Sequence, residues 1–143
     1  MDSIDRALVS ALQNDARTSY AELGRQVGLS APAVAERMRR LETSGIITGY
    51  HAAVDLKKAG YGIVAFVRLT SAPDLAPQLE RLAENTPEVI GFHRVTGSEG
   101  YVMMLAVTSV EHLEQTVVKF LPYGQTTTSI VLSSPVTWRK IAV

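Results

Sequence analysis

The stretch from residue 17 to residue 40 carries Arg17, Arg25, Arg37, Arg39 and Arg40 against Glu22 and Glu36, a local excess of three positive charges. Guanidinium groups present forked donors that match phosphate oxygens and the O6/N7 edge of guanine. At about 100° per residue, Ala33, Arg37 and Arg40 share one side of a helix, opposite or flanking the apolar Val34, Met38 and Leu41. Ser30, Ala31 and Ala33 at the start of that helix are small enough for a DNA backbone to approach, and the free N–H groups there can hold a phosphate. Arg37 and Arg40 are therefore expected at base edges or phosphates, Arg39 and Arg17 at phosphates, with Ser30, Tyr20 and Ala31 close by.

Other chemistry is sparse. With no cysteine, the chain has no disulfides, thiolate zinc sites or cysteine nucleophiles. His51, His93 and His112 lack metal-ligand spacing, and His93 reads as a packed or interface histidine. Ser129, Ser133 and Ser134 have no base beside them, and no nucleophile elbow, phosphate loop or carboxylate pair is present. Gly60, Gly62 and Ala65 fit a loose dinucleotide pattern. That pattern must follow a strand and open a helix, and here a strand comes after it. No enzyme activity, cofactor or metal is expected.

The elements that would position the arginines are helical. Ile4, Leu8, Ala11 and Leu12 fall on one helical face, capped by Asp2 or Ser3. Ser19 and Glu22 have capping-box spacing, and Leu23 and Val27 follow. Gly28, Leu29 and Ser30 make a short turn that caps the next helix, and Gly45 ends it. Two short helices joined by three residues, after a first helix, describe a helix-turn-helix. Residues 46–54 look extended and could form a wing or a connecting strand. Residues 55–62, with Lys57, Lys58, Gly60 and Gly62, read as a linker.

Beyond the linker, strands are expected at 63–70, 89–96, 101–108 and 126–136. Helices are expected around Leu75, Leu79 and Leu82 and around Leu113, Val117 and Phe120. The order βαββαβ is the ferredoxin-like arrangement. The fold class is thus α+β: a winged helix-turn-helix domain over 1–54 and a ferredoxin-like domain over 63–143.

Ile63, Ala65, Val67 and Leu69 fill one face of the first strand, yet Val64 and Phe66 are apolar on the other. Residues 101–107 are apolar on both. Helices cover one side of such a sheet, so a second copy of the chain is the simplest cover for the other. Net charge is zero with 14 basic and 14 acidic residues, which excludes binding by bulk charge and leaves little self-repulsion against association. The opening residues lack a signal-peptide pattern, and the longest apolar run, 101–107, is too short to span a membrane. A cytoplasmic location is expected.

Several blocks together resemble the leucine-responsive regulatory protein/AsnC (feast/famine) family of transcription regulators. They are Ile4-Asp5-Arg6, Leu12-Gln13-Asn14-Asp15-Ala16-Arg17, Glu22-Leu23, Val27-Gly28-Leu29-Ser30, Glu36-Arg37-Met38-Arg39-Arg40-Leu41-Glu42 and Gly45-Ile46-Ile47-Thr48-Gly49-Tyr50. The resemblance implies a regulator that binds double-stranded DNA, forms homodimers and often octamers, and takes an amino-acid or other small effector between dimers. It places that effector at the turn Gly97-Ser98-Glu99-Gly100-Tyr101. Gly97 and Tyr101 match the family's pattern there, while Ser98 and Gly100 stand where two acidic residues are usual. A free amino acid's ammonium needs acceptors, so weak binding of common amino acids, or none, is expected at this turn. An architectural protein that compacts DNA without an effector would leave the same sequence marks.

Overall fold

The computed structural model describes residues 1–98 and 100–143. The chain divides into two compact units, one made of Met1–Ala53 together with Val136–Val143, the other of Val54–Pro135.

The first unit holds α1 (Ser3–Asn14), α2 (Tyr20–Val27) and α3 (Ala31–Thr43) around Leu8, Leu23, Val34, Met38 and Leu41. Each helix begins on a side-chain oxygen: Asp2 accepts from the Asp5 N–H, Ser19 from Glu22 and Ser30 from Ala33. The full capping box falls on α1, where Asp5 also accepts from the Asp2 N–H at 3.1 Å. It does not close on α2, because the Glu22 carboxylate is taken by Arg25 and Gln26.

Gly24 lets α2 and α3 meet. A Cβ there would lie 2.4 Å from the Leu29 carbonyl oxygen, and the Leu29 N–H bonds the Gly24 carbonyl at 2.9 Å. α3 ends on Gly45 at φ +72°, with the Gly45 N–H on Glu42 and the Ile46 N–H on Leu41. The Ile47 N–H also turns back to Leu41, so these groups serve the helix end. Residues 46–54 accordingly form no strand, and the expected wing is not built.

The second unit contains β1 (Ile63–Ser71), α4 (Ala76–Glu84), β2 (Val89–Arg94), β3 (Tyr101–Val107), α5 (Val110–Val118) and β4 (Gly124–Ile130). Among the described residues the strands form one antiparallel sheet in the order β2-β3-β1-β4, as the ferredoxin-like reading requires. Ala65, Val67, Leu69, Met103, Leu105 and Val107 face the core with Leu79, Leu113 and Phe120. Gly124 sits at φ +153°, where a Cβ would come within 1.9 Å of the Thr70 carbonyl oxygen, so the chain enters β4 only through a glycine.

Several expected boundaries shift: β1 runs to Ser71 rather than 70, β3 stops at Val107 rather than 108 and β4 starts at Gly124 rather than 126. β2 stops at Arg94 rather than 96. β4 stops at Ile130 rather than 136 because its partner β1 begins at Ile63, and beyond Ile130 only the Val131 N–H reaches it, on Val64. The last eight residues, expected in the sheet domain, group with the helical unit. There Gln13 clamps Ile141 through both amide atoms, Nε2 on the carbonyl at 3.1 Å and Oε1 on the N–H at 3.0 Å. Val143 packs against the helical core.

Candidate nucleic-acid interface and effector turn

α3 presents two different sides. Val34, Met38 and Leu41 are buried, and Glu36, Arg39 and Arg40 are exposed. Arg37 projects about 60–70° from the centre of the buried face, at its border. It is accordingly half-buried and turned inward: its Nη1 lies 2.7 Å from both Asp2 Oδ2 and Asp5 Oδ1. The pair that caps α1 thus doubles as the socket for an arginine of α3. The Asp5 N–H and then Arg37 hold the Asp2 carboxyl below its ordinary range. Partial burial pushes Asp5 up, but hydrogen bonds from Arg37 and the Asp2 N–H outweigh it and the net direction is down. Arg37 is raised in return, chiefly by its hydrogen bond to Asp2.

The other expected contacts lie as follows. Arg39 is exposed and paired with Glu36 at 2.7 Å, an i,i+3 surface pair of small energetic weight. Arg40 and Arg17 are exposed and make no ion pair among the described residues. Ser30 is exposed at the α3 N-cap, Ala31 and Ala33 are half-buried in its first turn, and Tyr20 is exposed at the start of α2. Sequence reasoning missed Tyr50, whose hydroxyl donates to Glu42 at 2.8 Å and ties the segment after α3 back to that helix. Burial, then the Glu42 carboxylate, push the Tyr50 phenol up to about 12.

In the sheet unit, the turn between β2 and β3 closes with the Val95 N–H on the Gly100 carbonyl at 2.8 Å. Gly97 and Gly100 take φ of +106° and +74°, conformations that favour glycine. Ser98 is exposed and its carbonyl accepts weakly from Thr70 Oγ1. Glu99 lies outside the described residues. Tyr101 does not share the open turn: it is buried and stacked on Phe92 with ring centroids 5.4 Å apart. His93 is exposed on the outer sheet face opposite Val102. His112 is engaged within the unit, its Nε2 2.9 Å from Glu88 Oε1.

A helix-turn-helix with an exposed basic side, joined in one chain to a ferredoxin-like sheet unit, defines a class of DNA-binding regulators. Residues 1–42 match the AsnC-type helix-turn-helix domain, and residues 64–141 match the Lrp/AsnC ligand binding domain. The chain belongs to the Lrp/AsnC family and is a helix-turn-helix transcription regulator, not an enzyme. It is 34% identical over 133 residues to the transcriptional regulator LrpC of Bacillus subtilis, covering 93% of this chain and 92% of LrpC. It is 42% identical over 118 residues to LrpA of Mycobacterium tuberculosis, covering 80% and 77%. A feast or famine regulatory protein from M. tuberculosis, solved in complex with L-methionine, superposes with a TM-score of 0.90 at 34% identity and 99% coverage of both chains.

Proposed function

We propose that this chain is a dimeric, sequence-specific regulator that reads DNA with the exposed side of α3 and answers to a small effector held by the sheet unit. The observation that carries the DNA reading is Arg40: it stands unpaired among the described residues on the outward side of a helix whose other basic residues are paired. Arg40 reads a base edge or phosphate. Arg39, released from its weak pair with Glu36, and Arg17 take phosphates, with Ser30, Ala31, Ala33 and Tyr20 around them. Arg37 serves as a strut between α1 and α3, a role that differs from the base contact its spacing suggests.

Dimerisation rests on the outer sheet face. Val64, Phe66, Val102 and Met104 lie together there by strand register, and Phe66 remains 41% exposed. A second copy covers this face, and further association into octamers brings turns 97–101 of neighbouring dimers together. The L-methionine complex of the M. tuberculosis relative supports an amino-acid-like effector, and we assign it to that turn. The open turn of this chain offers Ser98 and backbone groups to it, so binding of the common amino acids is weak.

A regulator prefers its own site over random DNA by roughly 10³-fold or more. Competition of genomic fragments against random duplex measures that ratio, and equal affinity for all fragments would leave only the architectural role. A thermal-shift screen of the twenty amino acids tests the effector. Sub-micromolar binding lost on Ser98→Ala would show that this turn holds an amino acid without the two usual acidic residues.

A further inference from the structure

The segment Val136–Val143 has no part in the contacts proposed for α3 or for the turn between β2 and β3. It leaves the sheet unit and docks on α1 of the helical unit, held by the Gln13 amide on the Ile141 backbone and by Val143 in the apolar core. Between these anchors and Pro135 stand Trp138, Arg139 and Lys140. Trp138 is 90% exposed, far more than an indole normally is without a partner. Arg139 and Lys140 are exposed and make no ion pair among the described residues, and residues 131–143 contain no acidic side chain to neutralise them.

The anchor fixes where these groups can be. Gln13 is four residues before Arg17, so the two lie within about 14 Å of each other along the chain. Arg17 leads into Ser19 and the start of α2, the helix that crosses the DNA backbone in a helix-turn-helix. A basic pair beside an exposed indole, on a segment held at the end of α1, matches a backbone-tracking nucleic-acid contact: cations for phosphates and a ring against a sugar.

We propose that Trp138, Arg139 and Lys140 form a second DNA contact that grips the phosphate backbone flanking the site read by α3. The inference rests on the regulator reading and adds residues from the far end of the sequence to the DNA-binding surface. The contact is sequence-independent. It adds affinity and salt dependence and leaves discrimination between sites to α3.

The chain contains one tryptophan, so its emission reports on this segment directly. The experiment titrates the full chain and its Arg139→Ala/Lys140→Ala variant with a mixed-sequence duplex over a range of salt. Both side chains are exposed and the Gln13 clamp uses backbone atoms, so the variant keeps its fold. Duplex addition should change Trp138 emission in the unmodified chain. The variant should bind roughly ten-fold more weakly, with a salt slope shallower by about 1–2. Unchanged affinity and slope in a variant of a protein that binds duplex would overturn this inference and leave the regulator reading standing. Emission that shifts with protein concentration and not with DNA would overturn it in favour of a second copy covering the segment. Failure of the unmodified chain to bind any duplex would overturn both.

Discussion

Replacing Gly24 by alanine tests how the two helices of the DNA-binding unit are held at their working distance. The new Cβ would sit 2.4 Å from the Leu29 carbonyl oxygen, a backbone atom in the turn that opens α3. No side chain can swing aside, so α2 and the turn must separate by about an ångström. Overpacking of this kind costs about 1–3 kcal/mol. Separation also stretches the Leu29 N–H bond to Gly24, now 2.9 Å, for about 1 kcal/mol more. Alanine returns about 1 kcal/mol through its helix preference. The net is a loss of about 1–3 kcal/mol, which in a unit of this size lowers the melting temperature by roughly 5–20 °C. Thermal unfolding followed by far-ultraviolet circular dichroism reads this unit, because its fold is built of three helices. DNA affinity measured well below the transition should also fall, because α3 opens at the displaced turn. Gly28→Ala is the comparison. It stands at φ +71° with nothing within 4 Å of its added carbon, so its cost is conformational alone, about 1 kcal/mol. A Gly24→Ala protein as stable as the unmodified chain would refute the close-approach argument.

Arg40→Ala should weaken binding to a preferred site by about 1–3 kcal/mol with an unchanged melting curve. Arg37→Ala should lower the melting temperature before it changes base preference, and the reverse pattern in gel shifts would restore Arg37 as a reader. Asp2, Asp5 and Glu88 are all held below their ordinary values, Glu88 chiefly by His112, so each binds its proton less readily folded than unfolded. Their stabilisation is complete above the ordinary carboxylate range and is lost as pH falls through the depressed values. The urea midpoint should therefore drop with acid below about pH 4, and less steeply in Arg37→Ala. Phe66→Glu places a charge on the outer sheet face and should convert the proposed dimer to a monomer in light scattering. An unchanged mass would place the interface elsewhere.

The three helix starts were legible because capping is local: a side-chain oxygen meets an N–H three residues on, as at Asp2, Ser19 and Ser30. The sheet was legible for a related reason, since successive side chains point to opposite faces and so set Val64 and Phe66 apart from Ala65 and Val67 on β1. What spacing could not give were partners distant in sequence. Arg37 meets Asp2 and Asp5 across some thirty positions. The one local sign was its angle at the border of the apolar face, where a long cation has a choice between solvent and a half-buried acid. Gly24 reads as a weak helix residue until the Leu29 carbonyl is placed against it. The β-branched run after Thr126 reads as a long strand, but a strand lasts only as long as its neighbour, and β1 ends the pairing at Ile130. The turn at 97–101 was found by position, while the burial of Tyr101 against Phe92 needed the register.

The path of the backbone, out of the helical unit after Ala53 and back into it at Val136, has a consequence for proteolysis. Cleavage within residues 55–62 does not by itself release the DNA-binding unit. The sheet fragment retains Val136–Val143, still docked on α1 by the Gln13 clamp and Val143, so the nicked halves should comigrate under native conditions and part only in denaturant.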